Sequence, residues 1–180
     1  MWPTLRRITR RAAPWLLLVG GIYWISAPGG APAEFKVGSN LPEFRLDVSD
    51  GSRVVLPAPP PAAGPQPVLV LNFWATYCGP CRAEAPIFTA LHEASAKDVR
   101  VIGVSIEGFP QPEMLRAAQE LGMRYPMASA DGDLLRKLRL RSVPTTYVIA
   151  TDGVIKLSRV GTVTRKELDD AVASARMSIH

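Results

Sequence analysis

Residues 68–74, VLVLNFW, form a continuous apolar, β-favouring run that leads straight into ATYCGPC at 75–81. A run that barely alternates with polar residues has no face to offer water. It fits a strand buried on both sides of a sheet. Pro80 suits the first turn of a helix, and the sequence beyond it predicts that helix to about Lys97. The two cysteines of the chain, Cys78 and Cys81, therefore fall where a buried strand meets a helix.

The rest of the chain builds outward from that junction. FRLDVSDGSRVVL (44–56) reads as a hairpin, two alternating runs around Asp50-Gly51. PAPPPAAGPQP (57–67) suits neither a helix nor a central strand and predicts an extended loop. VRVIGVSIE (99–107) predicts a second buried strand, and QPEMLRAAQELG (111–122) a helix with Pro near its start and Gly at its end. DGDLLRKLRL (131–140) predicts a short helix, and residues 145–161 a second hairpin turning at Asp152-Gly153. Thr164 and Glu167 fit a capping box that opens the last helix. This order predicts an α/β domain: a central mixed β-sheet with helices on both faces.

Two cysteines two residues apart have several chemical uses. As a staple they close a tiny loop and remove little entropy from the unfolded chain. Structural zinc needs four ligands, and only His92 and His180 could add imidazoles, neither at ligand spacing. A soft thiolate pair can hold Cu(I), which keeps copper delivery open as a non-enzymatic alternative. The fourth use is redox. At a helix start, unpaired N–H groups and the helix dipole stabilise a thiolate, the attacking species in disulfide exchange. On this reading the sulfur of Cys78 is acidic and open to solvent. Cys81, one turn further in, is placed to resolve a mixed disulfide.

NFWATYCGPC resembles the active-site stretch of thioredoxin-fold proteins, and SVPTT (142–146) resembles the loop that carries their cis-proline. With an N-terminal targeting segment and an SNLPEFRL…DGSRVVL lead-in, the chain is similar to the TlpA/ResA/CcmG family of extracytoplasmic thiol-disulfide oxidoreductases. The resemblance covers about residues 36–175. It implies a thioredoxin-like fold with an N-terminal β-hairpin and an inserted helix.

It also implies roles for particular residues. Cys78 attacks, Cys81 resolves, and Pro144, preceded by Val143, lies against the dithiol where the backbone binds a substrate strand. Glu84, three residues after the second cysteine, matches an active-site glutamate of the membrane-anchored branch, a proton acceptor that tunes Cys81. The plainer reading of Glu84 is an acid favoured by the helix N-terminus. Asn72 stands where cytosolic thioredoxin has a buried aspartate, and an amide cannot take a proton. Trp74 and Tyr77 are expected beside the site, as substrate contacts or as core and rim packing. Pro86 matches the helix-kinking proline of the fold, and His92 reads as a helix-surface residue.

The Gly-Pro between the cysteines resembles thioredoxin, a strong reductant. The expected activity is therefore protein-disulfide reduction, with proteins bearing disulfides as substrates and no cofactor or bound metal. The family implies resupply of electrons by a membrane thiol-electron donor of the CcdA/DsbD kind, and its substrates include the haem-attachment cysteines of apocytochrome c. An enzymatic alternative is a peroxiredoxin-like thiol peroxidase. That site needs P-x-x-x-T-x-x-C, and this chain has Leu71 and Ala75 at the Pro and Thr positions, with Thr76 one place off.

The N-terminus suggests where this happens. MWPTLRRITRR is positive, AAPWLLLVGGIYWIS is apolar, and Ala31-Pro32-Ala33 resembles a cleavage site. Residues 1–33 are expected to be a signal peptide or membrane anchor, and 34–180 a thioredoxin-like domain in the periplasm or on the outer face of the cytoplasmic membrane. The formal charge of +5 comes from this leader: four of the 21 Lys and Arg precede residue 34, and the rest nearly balance 16 acidic residues. A nucleic-acid partner, which needs basic residues clustered on the folded domain, is not expected.

Overall fold

The computed structural model describes residues 35–57, 66–95 and 97–177. The expected leader at 1–33, the centre of the proline-rich loop and His180 lie outside them. Among the described residues, no helix is long and apolar enough to cross a membrane.

Two strands, β1 (Phe44–Asp47) and β2 (Arg53–Leu56), form the expected hairpin, with Phe44 opposite Leu56. Its turn works because Gly51 takes φ +81°, which side-chain-bearing residues rarely adopt. The main sheet contains β3 (Val68–Trp74), β4 (Val99–Ser105), β5 (Met127–Ser129), β6 (Thr145–Ile149) and β7 (Ile155–Val160), in the order β5-β4-β3-β6-β7. β3 runs parallel to β4, and β4 to β5, whereas β6 is antiparallel to both β3 and β7. The sheet is mixed, as expected. β5 had no counterpart in the sequence reading, because three residues show no periodicity.

Among the described residues the helices are α1 (Gly79–Ala94), α2 (Gln111–Glu120), α3 (Gly132–Lys137) and α4 (Arg165–Arg176). α1 ends three residues before the expected Lys97, at Ser95 in extended conformation. The chain must turn there so that Val99 can pair with Val68, and the Val68 N–H donates to the Asp98 carbonyl at 2.8 Å. The capping box at Thr164 and Glu167 is formed. Pro86 sits inside α1 and removes the N–H that would otherwise bond one turn back.

Strand β3 decides where everything packs. All seven of its residues are buried, and alternate ones belong to opposite faces. Val68, Val70 and Trp74 join a cluster with Phe88 of α1, Met114 of α2 and Leu168 of α4. Leu69, Leu71 and Phe73 join a second cluster with Phe44 and Leu56 of the hairpin and Leu134 of α3. Helices thus cover both faces, three on one and α3 with the hairpin on the other. Asn72 shares the period of Val70 and Trp74, so it lies on the α1 face.

Candidate active site

Between β3 and α1 the chain is held by its own hydrogen bonds. The Ile106 N–H donates to the Trp74 carbonyl (3.1 Å), and the Cys78 N–H to the Ala75 carbonyl (3.1 Å). Glu107 accepts from the Thr76 N–H at 2.6 Å and from the Thr76 hydroxyl at 2.8 Å. Glu107 is thus a support of the active-site loop that the sequence did not flag. It lies 31 residues from its partner in the chain, and no local pattern links them.

Cys78 is the N-cap of α1, and its sulfur accepts the Cys81 N–H at 3.1 Å. That is the position at which helix N–H groups and the dipole favour a thiolate. The two cysteines are joined in a disulfide, with Cα atoms 5.3 Å apart. One expectation needs correction here: Cys78 is 5% exposed, so its sulfur is nearly covered in the disulfide form and not open to solvent. Bonding to Cys81 and accepting its N–H folds the sulfur back over the first helical turn. Cys81 itself is wholly buried.

Glu84 departs from the plainer reading of an acid at a helix start. It is only 2% exposed, and being three residues beyond Cys81 it occupies the same side of α1. Asn72 Nδ2 donates to one of its carboxyl oxygens at 2.8 Å, and the Val163 N–H to the other at 3.2 Å. Burial raises its pKa from 4.5 to about 7, outweighing those two donors, which pull it down. Asn72 also lies 3.4 Å from the Thr146 hydroxyl, and its Oδ1 accepts from the Tyr125 hydroxyl at 3.2 Å. Tyr125 and Thr146 escaped the sequence reading, since they lie 53 and 74 residues from Asn72. Burial first, and then the charge of Glu84, push the Tyr125 phenol far above its usual range, so it stays a donor.

The remaining candidates divide. The Val143-Pro144 bond is cis, and the Pro144 carbonyl accepts the Gly161 N–H at 2.8 Å. Val143 is half-buried, whereas Tyr77 beside Cys78 is 73% exposed. Trp74 is 0% exposed, and its indole N–H has no hydrogen-bond partner among the described residues. A side chain so covered packs beneath the site and presents no surface to a substrate in this state. His92 is half-buried in the last turn of α1.

A dithiol at a helix start, on the α/β scaffold that carries it, defines a thioredoxin-like thiol-disulfide oxidoreductase. Comparison with known proteins agrees. Residues 37–158 match the model of the AhpC/TSA family. The chain is 32% identical to the thioredoxin-like protein YneN of Bacillus subtilis over 86% of its own length and 90% of that protein's. It is 33% identical to the thiol:disulfide interchange protein DsbE of Escherichia coli over 76% of this chain and 73% of that one. Among solved structures, a thiol:disulfide interchange protein of the thioredoxin family from Chlorobium tepidum superposes with a TM-score of 0.60 at 23% identity, covering 79% of this chain and 99% of its own. This last likeness speaks for the fold alone. The chain belongs to the AhpC/TSA family, and within it to the thiol-disulfide oxidoreductases of the DsbE/ResA type.

Proposed function

We propose that this protein reduces disulfides of extracytoplasmic proteins with Cys78 as nucleophile, Cys81 as resolving thiol and Glu84 as proton acceptor for Cys81. The observation that carries the proposal is the placement of a buried carboxyl, its pKa near 7, one helical turn behind a wholly buried Cys81.

The Cys78 thiolate attacks one sulfur of a substrate disulfide, that S–S bond breaks, and one substrate thiolate leaves. Cys81, having given its proton to Glu84, attacks the Cys78 sulfur. The Cys78–Cys81 bond forms, and the second substrate thiolate departs. The substrate gains two electrons and this dithiol loses them, so a thiol donor must restore it. A membrane donor of the CcdA/DsbD kind fits that need. Tyr77 and the main chain of Val143 offer the substrate-facing surface, since the Pro144 carbonyl is already engaged by Gly161.

The extracytoplasmic setting rests on the leader pattern of residues 1–33, which we take as signal or anchor ahead of a domain from 34 onward. Haem-attachment cysteines of apocytochrome c are one substrate class that such a reductase serves. Against the peroxidase reading, Leu71 and Ala75 occupy the two positions that its pattern requires.

The test is insulin reduction by the full chain and by Cys78→Ser, alongside a Cu(I) titration of both. Turnover that is lost in the variant supports the reductase. Tight copper binding without turnover in the wild type overturns it in favour of copper delivery.

A further inference from the structure

Glu84, Asn72 and Tyr125 form a relay of buried side chains from three separate elements: α1, β3 and the segment before β5. Asn72 and Glu84 are 0% and 2% exposed, and Tyr125 6%. An asparagine amide can turn either way, and what it offers Glu84 depends on which way it turns. As found, the NH2 end faces Glu84 Oε1 at 2.8 Å, and the oxygen end accepts from the Tyr125 hydroxyl at 3.2 Å. An NH2 group can only donate, and a carboxylate can only accept. This orientation therefore suits ionised Glu84. The reverse orientation would aim a carbonyl at Glu84 and suit its protonated form.

We infer that Tyr125 is a positioning residue for the dithiol chemistry: its hydroxyl holds the Asn72 amide in the orientation that keeps Glu84 able to accept a proton. The inference rests on the reading of Glu84 as proton acceptor for Cys81. Were the amide to turn over, its NH2 would face the phenol oxygen, and the Tyr125 hydroxyl hydrogen would lose the Asn72 oxygen that accepts it. Leaving a buried donor unpaired is costly, so the phenol opposes the turn. Among the described residues, the titratable group coupled to Glu84 is Tyr125 from the segment before β5; Cys81, one turn earlier on the same helix, is held in the disulfide and titrates only once that bond is reduced. β6 brings Thr146 to Asn72 and the segment before α4 brings the Val163 N–H, and neither of these titrates. Tyr125 stays protonated throughout the working range, because burial and the Glu84 charge both hold its proton on.

The expected effect follows from the worth of one hydrogen bond. Removing the hydroxyl should shift the ionisation of Glu84 by about three- to tenfold towards the protonated form, a midpoint higher by about half to one pH unit. The experiment is a carboxyl carbon-13 titration of Glu84 in the disulfide form of the full chain, wild type against Tyr125→Phe. The pH–rate profile of insulin reduction is measured on the same proteins. The ascending limb of the profile should move upward with the midpoint.

Asn72→Leu, which removes the amide, should make the added Tyr125→Phe change silent, whereas a purely structural phenol would act in both backgrounds. An unmoved midpoint in Tyr125→Phe, or an equal effect in the Asn72→Leu background, overturns the inference and leaves the dithiol mechanism standing. A Glu84→Gln variant that keeps the wild-type pH–rate profile overturns the reading of Glu84 as base, and this inference with it.

Discussion

Replacing Glu84 with Gln should flatten the dependence of folding stability on pH. The folded protein holds the Glu84 proton up to about 7, against an ordinary value of 4.5. Between those two values the folded state binds more protons than the unfolded one. Stability is therefore greatest below about 4.5 and falls as pH rises towards 7 and just beyond. The gap between 4.5 and about 7, at about 1.4 kcal/mol per tenfold, amounts to about 3 kcal/mol in full. Roughly 2.5 kcal/mol of it is lost between about pH 5 and about pH 8. Asp50 and Asp133 are held below their ordinary 3.8, so their contributions act at lower pH, outside that window. The assay is urea unfolding of the full chain at several pH values, with the disulfide intact so that neither cysteine titrates. In Glu84→Gln the amide stands in for the protonated carboxyl, one donor end and one acceptor end, so the variant should lie within about 1–3 kcal/mol of wild type at acid pH, with the pH slope gone. If the variant keeps the wild-type slope, or wild type gains stability from pH 5 to pH 8, the assignment of that proton to Glu84 is refuted.

Two further outcomes are expected. Tyr77→Ala, at a residue 73% exposed, should leave unfolding free energy within about 0.5 kcal/mol of wild type while raising KM for insulin more than it lowers kcat. Thr164→Ala removes a hydroxyl that caps α4 by accepting the Glu167 N–H at 3.2 Å. It should cost about 1 kcal/mol in a urea melt and leave the pH–rate profile in place.

Much of this arrangement was written locally in the chain, and the rest was not. VLVLNFW announced a doubly buried strand because its lone polar residue, Asn72, leaves no alternating face for water, and the Asp-Gly pairs marked both hairpin turns because glycine accepts positive φ. Cys78 at a helix start followed from Gly79-Pro80. What escaped depended on pairs far apart in sequence. Asn72 could be recognised as unable to hold a proton, but nothing in its neighbourhood pointed to Tyr125, Thr146 or Val163. Those contacts exist only once the fold brings β3, β6, the segment before β5 and the segment before α4 together. Burial was legible only in part: Cys78, expected open to solvent beside an exposed tyrosine, is covered because the disulfide folds it inward, and Trp74, open to either packing or substrate contact, is turned under α1 by strand alternation.

The lead-in to the domain has a consequence of its own. Gly38 donates its N–H to the Ile155 carbonyl at 2.9 Å, Ile155 donates back to Ser39 at 2.9 Å, and the Ser158 hydroxyl bonds the Phe35 carbonyl. The polypeptide thereby laces a seam along β7, whose margin would otherwise be an open template for strands of other molecules. A version lacking residues 1–33, the proposed leader, keeps every stitch of that seam, while a shorter one starting past Asn40 would fray it and invite copies to zip together.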